Sequence, residues 1–421
     1  MDRLIIQGQC RLEGEVEVLG VKNGILPMMA AAILGSKGQT VLHNVPDLRD
    51  IHVMSRVLEG IGASVEHDLP TSTLMIDCQQ ICSSQAPYHW VKQMRASFLV
   101  MGPLVARTGS ASVSLPGGCS IGARKVDMHL EALRKFGATV EQRSGMVVAE
   151  AKKLSGTVYC FDFPTHTGTE NIMMAACLAD GDTTLINAAC EPEVRDLGCL
   201  LNAMGAKVSG AGTPIIRIEG VDQLHGVEYS ALPSRIETGF FMIAAAITGG
   251  EIVIGNAITD NLGMVVDKLR QIGVEIRELG GNRALVKRTG RLTPANIVTW
   301  PFPGFPTDLQ PQTMALLTLA EGVSVVKETV FEKRFMHVDE LNRLGARITT
   351  RFDEAVIEGV NNLTGAPVMA SDLQAGACLV LAGMAAGGET SIDRVYHIDR
   401  GYAKIEERLT NIGAAIERVS V

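Results

Sequence analysis

One eight-residue pattern, Leu-x-x-apolar-Gly-small-x-β-branched, recurs six times along the 421 residues of this chain. The copies are LEGIGASV (58–65), LRKFGATV (133–140), LNAMGAKV (201–208), LRQIGVEI (269–276), LNRLGARI (341–348) and LTNIGAAI (409–416). Their glycines stand at positions 62, 137, 205, 273, 345 and 413, so the spacings are 75, 68, 68, 72 and 68. A ladder this regular requires a fold made of six like units. The Leu and the apolar residue three places on share one helix face. The glycine supplies the left-handed conformation that ends the helix, and the alternating residues after it begin a strand. Upstream lie apolar, small-residue segments such as 27–34, 171–178 and 240–247, each read as a further helix. A short turn and a strand follow each of them, at 40–44, 183–187 and 251–256.

The unit is therefore helix, strand, helix, strand. Six such units exceed one core, so two domains of three units each are expected. The seams belong near 230–233 and 20–21. One domain then spans 21–231, and the other joins 1–20 to 232–421, completed by the N-terminal strand at 4–8. A continuous solenoid is the competing architecture, but solenoid repeats run to only about 20–45 residues. Helices built from small residues approach each other and their sheets closely, which accounts for an aromatic content of only 4%.

The formal net charge of −8 argues against a broad phosphate-binding surface, and so against nucleic acid as a partner. The apolar stretches at 25–35 and 375–388 are too short to span a membrane. The first residues carry no basic-then-apolar leader, and the nine cysteines are odd in number and scattered. A cytoplasmic location with reduced thiols is the expectation. Cys78 and Cys82 lack a second pair at zinc-like spacing, so no metal site is expected. No obligate protein partner is evident.

The repeats absorb most apolar positions, which leaves the chemistry to the intervening loops. Four stretches stand out: GVKNG (20–24), LPGGCSIGAR (115–124), FPTDLQ (305–310) and YHIDRGY (396–402). With KQMRAS (92–97), RIETG (235–239), ETVFEKR (328–334) and VMASDL (368–373), their order and spacing resemble the UDP-N-acetylglucosamine enolpyruvyl transferases that open peptidoglycan synthesis. The resemblance runs from the first strand to the last. It implies an α/β fold, a two-domain inverted α/β barrel, with the site between the domains. The implied reaction moves the enolpyruvyl group of phosphoenolpyruvate to the 3-hydroxyl of UDP-N-acetylglucosamine and releases phosphate. Such a reaction needs a cluster of cations, a proton donor and a carboxylate, but no metal or other cofactor.

By this resemblance Lys22, Asn23, Arg124 and Arg400 hold phosphoenolpyruvate. Lys22 opens an apolar helix whose N–H groups favour anions, and the arginines offer forked donors to carboxylate and phosphate. Cys119 matches the family's proton donor to the vinyl carbon, a thiol open to covalent attack by phosphoenolpyruvate or by fosfomycin. Arginine nearby favours its thiolate. Asp308 matches the carboxylate that takes the sugar hydroxyl's proton, although its place before a helix also suits a capping role. Asn23, Arg95, Arg124, Lys125, Val126, Asp127, Met128, Thr165, His166, Thr167, Gly168, Asp308 and Val330 fall on nucleotide-binding positions. The THTGTEN run at 165–171 is also a good helix start. Asp372, Asp399, Glu237 and Arg334 are supporting residues, Asp399 as a partner for a neighbouring cation.

Four positions depart from the family's common pattern. Lys125 stands in place of Pro, Phe163 in place of a phosphate-side Lys, Ser234 in place of Asp and Gln374 in place of Arg. They leave open a different uridine nucleotide or another acceptor, shikimate 3-phosphate included. The Cys119 loop speaks against the shikimate enzymes. A catalytically silent nucleotide sensor is a third reading, opposed by the intact Lys22, Cys119, Asp308 and Arg400.

Overall fold

The computed structural model describes residues 2–115 and 126–420. These residues divide into two compact units, one of 2–19 with 233–420 and the other of 20–115 with 126–232. The chain passes from one to the other at Leu19–Gly20 and Leu232–Pro233.

Each repeat is richer than helix, strand, helix, strand. One copy reads helix Arg235–Thr248, strand Glu251–Gly255, helix Gly263–Ile272, strand Val274–Gly280 and a returning strand Arg283–Arg288. The returning strand has only plain alternation and no glycine signature, so the repeat pattern does not reveal it. Glu13–Glu17 adds a parallel edge beside Glu251–Gly255. The resulting order is parallel edge, strand after the first helix, returning strand, strand after the second helix. All six large sheets among the described residues follow it, one of them with Gln85 bridging Ser112 in place of an edge strand. In the last sheet the returning strand's place lies between Glu389–Asp393 and Ala415–Ser420. Asp2–Gln7 fills that place, with Leu4 opposite both Ile392 and Arg418.

The first helices of the repeats form the centre of each unit. Ile236 to Ile247, Gln310 to Leu317 and Gln374 to Met384 are buried without interruption. Strands such as Ile215–Glu219 alternate buried and exposed residues, with one face on the helices and one in solvent. Helices inside and sheets outside make each unit an inverted α/β barrel.

The pattern glycines act as expected. All six have φ between 89° and 106°. The twelve apolar pattern residues before them, from Leu58 and Ile61 to Leu409 and Ile412, are at most 1% exposed. At five of the ends the residue after glycine donates its N–H to the pattern Leu, as Ala138 does to Leu133 O at 3.0 Å. This closes the helix and aims the chain into the strand. A Cβ at Gly137 would meet no atom within 4 Å, so that position isolates the backbone cost. Gly137→Ala is expected to destabilise its unit by about 1–2 kcal/mol. An unchanged urea midpoint would contradict it.

Candidate active site

Within each unit, several of the residues singled out in the sequence stand at the N-termini of buried helices. In the unit of 20–232, Lys22 and Asn23 open Lys22–Ala31, and Arg95 opens the 3-10 turn Arg95–Val100 that leads into Met101–Thr108. Thr165 caps His166–Ala176 by accepting from Gly168 N at 3.3 Å. In the other unit, Ser234, Asp308 and Asp372 precede Arg235–Thr248, Gln310–Leu317 and Leu373–Ala385. Helix N-termini carry partial positive charge and free N–H groups, so these helix starts are each suited to anions. Val126 and Asp127–Met128 begin the amphipathic helix Asp127–Lys135. Arg400 ends the 3-10 segment Val395–Arg400. Cys119, Arg124 and Lys125 lie outside the described residues.

Asp308 is not the cap residue of Thr307–Leu309 or of Gln310–Leu317, whose N-caps are Pro306 and Leu309. Its Oδ1 accepts instead from Arg334 at 2.9 Å, and the Arg334 side chain is only 2% exposed. The Arg334 guanidinium also lies over the Phe331 ring, 5.5 Å from its centroid. Lys22 pairs with Asp50 at 3.1 Å, and the Asp50 side chain is 4% exposed. Asp50 carries no sequence signal of a site, since an acidic residue in the first turn of Arg49–Gly60 looks like ordinary helix chemistry.

The supporting carboxylates take structural partners. Glu237 accepts from Leu19 N at 2.9 Å and from Arg408, tying the N-terminal segment to helix Arg235–Thr248. Asp372 caps Leu373–Ala385 by accepting from Gln374 N and Ala375 N at 2.9 and 3.2 Å. Asp399 does hold a cation, but it is Arg418, at 2.7 and 3.1 Å. Two departures from the family pattern are absorbed locally. Ser234 Oγ keeps a helix cap by accepting from Glu237 N at 3.2 Å. Gln374 Oε1 accepts from Gln312 at 2.6 Å and from the Tyr402 hydroxyl at 3.0 Å, in a fully buried neutral network. Phe163 is 41% exposed.

The THTGTEN run contains a feature its sequence does not announce. His166 Nε2 lies 3.0 Å from Glu170 Oε1, an i,i+4 ion pair. The Glu170 side chain is 1% exposed, against 23% for His166. Burial alone would lower the imidazole pKa, but the charges of Glu170, Glu191 and Glu193 outweigh it and push it up to about 10. Burial also raises the Glu170 carboxyl, against the pull of His166. The neighbouring Asn171 donates to Phe98 O and to His129 Nδ1, at 3.3 and 3.0 Å.

Two other histidines are held neutral. Burial, aided by the charge of Arg95, takes His129 down to about 3, and burial takes His337 to about 4 against the pull of Asp372. Groups with depressed histidine pKa stabilise the fold fully above the unfolded value near 6.5 and lose that contribution as pH falls. Stability is therefore expected to drop between about pH 6.5 and 4, by up to ~1.4 kcal/mol per pH unit for each group. Urea titrations across that range check it, and a His129→Gln variant should flatten the acid limb of its own unit. An identical acid limb in that variant would contradict the reading.

Among the described residues no helix is long and apolar enough to cross a membrane, and no cluster of three His, Cys, Asp or Glu is arranged to hold a metal ion. The family described as EPSP synthase (3-phosphoshikimate 1-carboxyvinyltransferase) matches residues 6–409. A UDP-N-acetylglucosamine 1-carboxyvinyltransferase 2 of Carboxydothermus hydrogenoformans is 52% identical over 421 residues, covering all of both chains. The UDP-N-acetylglucosamine 1-carboxyvinyltransferase of Desulfatibacillum aliphaticivorans is 50% identical over 419 residues, again covering both fully. Among solved structures, the enolpyruvyl transferase NikO from Streptomyces tendae superposes with a TM-score of 0.90 at 25% identity, covering 100% of this chain and 99% of that one. EPSP synthase from Acinetobacter baumannii shares the fold, with a TM-score of 0.76 at 19% identity and full coverage of both chains. End-to-end identity at this level places the chain in the UDP-N-acetylglucosamine 1-carboxyvinyltransferase family of enolpyruvyl transferases.

Proposed function

We propose that the chain transfers the enolpyruvyl group of phosphoenolpyruvate to the 3-hydroxyl of UDP-N-acetylglucosamine with release of phosphate, the first committed step of peptidoglycan synthesis. The observation that carries this reading is identity of 50–52% from end to end with proteins of that name. The solved EPSP synthases share the fold at only 18–19% identity. Both substrates are small molecules, and the transfer is redox-neutral. The hydroxyl O–H adds across the vinyl bond, and loss of a proton and phosphate restores the vinyl group on the new oxygen.

In this reading Asp308 takes the hydroxyl proton while Arg334 holds its Oδ1. Lys22, Asn23, Arg124 and Arg400 bind phosphoenolpyruvate, and Cys119 delivers the proton to the methylene carbon. Arg95, Val126–Met128, Thr165–Gly168 and Val330 receive the nucleotide, with Lys125 supplying charge that Phe163 lacks. Ser234 and Gln374 serve the packing of their own unit, so those departures call for no change of acceptor. We place the protein in the cytoplasm, consistent with eight described cysteines that are all free thiols.

Phosphate release is expected with phosphoenolpyruvate and UDP-N-acetylglucosamine, and not with shikimate 3-phosphate or other uridine nucleotides. Preference for another acceptor would overturn the assignment, and no release with any acceptor would favour a sensor. Intact-mass and peptide analysis after fosfomycin treatment is expected to place one adduct on Cys119. Modification elsewhere would remove that residue's role.

A further inference from the structure

The Asp308 turn is held by a second carboxylate that the reaction as described does not use. Glu328 follows the strand Val323–Lys327 and is 4% exposed. Its Oε1 accepts from Val330 N at 2.8 Å and Phe331 N at 3.0 Å. Its Oε2 accepts from the Thr307 hydroxyl at 2.8 Å. Burying a carboxylate costs several kcal/mol unless its lone pairs are taken up, and here three donors take them up. The donors come from two different loops, and each loop carries a residue of the proposed site.

The connections close into a ring. Thr307 is the residue before Asp308; Asp308 pairs with Arg334; Arg334 packs on Phe331; Phe331 and Val330 donate to Glu328, which returns to Thr307. The loop side of the ring is itself anchored to the sheet. Glu328 N donates to Asp353 O at 2.8 Å, and Thr329 N donates to Oγ1 of the fully buried Thr299 at 2.9 Å. Asp308 is thus gripped from both sides, by an ion pair through its carboxylate and by a hydrogen bond through its neighbour. A neutral amide at 328 could accept the two backbone N–H groups through its oxygen. It would then turn its NH₂ toward Thr307, reversing that bond.

We propose that Glu328 is a positioning residue of the transfer, setting Asp308 and Val330 in register through Thr307. The proposal rests on the reading of Asp308 as the group that takes the hydroxyl proton. Misplacing a reacting group by about 1 Å costs on the order of 10²-fold in rate. Thr307→Val removes the donor that joins Glu328 to the Asp308 turn, leaves the Arg334–Asp308 pair in place and keeps the volume nearly unchanged.

The test is steady-state kinetics on the full chain with both substrates, for Thr307→Val, Thr307→Ser, Glu328→Gln and Asp308→Asn, with thermal unfolding as a check on folding. Thr307→Val is expected to lose about 10–10²-fold in kcat. Its KM for UDP-N-acetylglucosamine should rise several-fold while its KM for phosphoenolpyruvate stays within about twofold. Thr307→Ser, which restores the donor, should return most of the rate, and Glu328→Gln should fall between. If Glu328→Gln does not fold, Thr307→Val decides alone. Wild-type kcat and KM in folded Thr307→Val, beside an inactive Asp308→Asn, would overturn the positioning role alone. Wild-type kcat in Asp308→Asn would overturn the reading of Asp308 and this proposal with it. Equal changes in both KM values with no serine rescue would reduce Glu328 to a purely structural residue.

Discussion

Asp308→Asn is expected to lower kcat by about 10²–10⁴-fold, the range that a positioned general base contributes. The substitution is nearly isosteric. An amide oxygen at the Oδ1 position still accepts from Arg334, so the 2.9 Å contact and the turn Thr307–Leu309 have reason to persist. What the amide cannot do is take a proton from a sugar hydroxyl. The loss should therefore fall on kcat, with KM for phosphoenolpyruvate little changed. A loss confined to KM would point to nucleotide contact alone. Product formation followed in single-turnover mode separates the chemical step from release. A single-turnover rate equal to wild type would remove Asp308 from the chemistry.

His166→Ala is expected to destabilise its unit by about 3 kcal/mol, at the low end for breaking a buried pair because His166 itself is partly exposed. The cost comes from what is left behind. Among the described residues no hydrogen bond reaches either Glu170 oxygen or Glu191 Oε2, and both groups are buried there. With the imidazolium gone, Glu170 must stay charged without a partner or take up a proton. The pH dependence carries a definite sign. A histidine raised to about 10 contributes its stability fully below the unfolded value near 6.5 and loses it as pH rises through 10. The gap between wild type and His166→Ala in urea unfolding should therefore narrow from pH 7 toward pH 10. Adding Glu170→Gln to His166→Ala should recover most of the loss, because the amide carries no charge to strand. Additive losses in the double variant would exclude the pair as the cause.

The chain's periodicity was enough to read the six repeats, the helix ends at the pattern glycines and the small-residue helices at the centre. These are local properties: a 3.6-residue period, a left-handed glycine and a two-residue alternation all lie within a dozen residues. The stretches around Lys22, Asp308, Val330 and Arg400 were also legible, since each is contiguous. The returning strands were not, because plain alternation marks a half-buried strand without saying which partner it joins. The partnerships were the least legible of all. Whether Asp308 caps a helix or meets Arg334, 26 positions on, depends on how two loops of one unit come together. The same holds for Lys22 with Asp50, for Glu328 with Thr307 and for Glu237 with Leu19. By itself the sequence determined the repeating backbone and the chemical inventory of the loops. Tertiary structure alone decided which charge answers which. An ion pair or buried hydrogen bond acts only over a few ångströms, and that distance is set by chain crossings far apart in sequence.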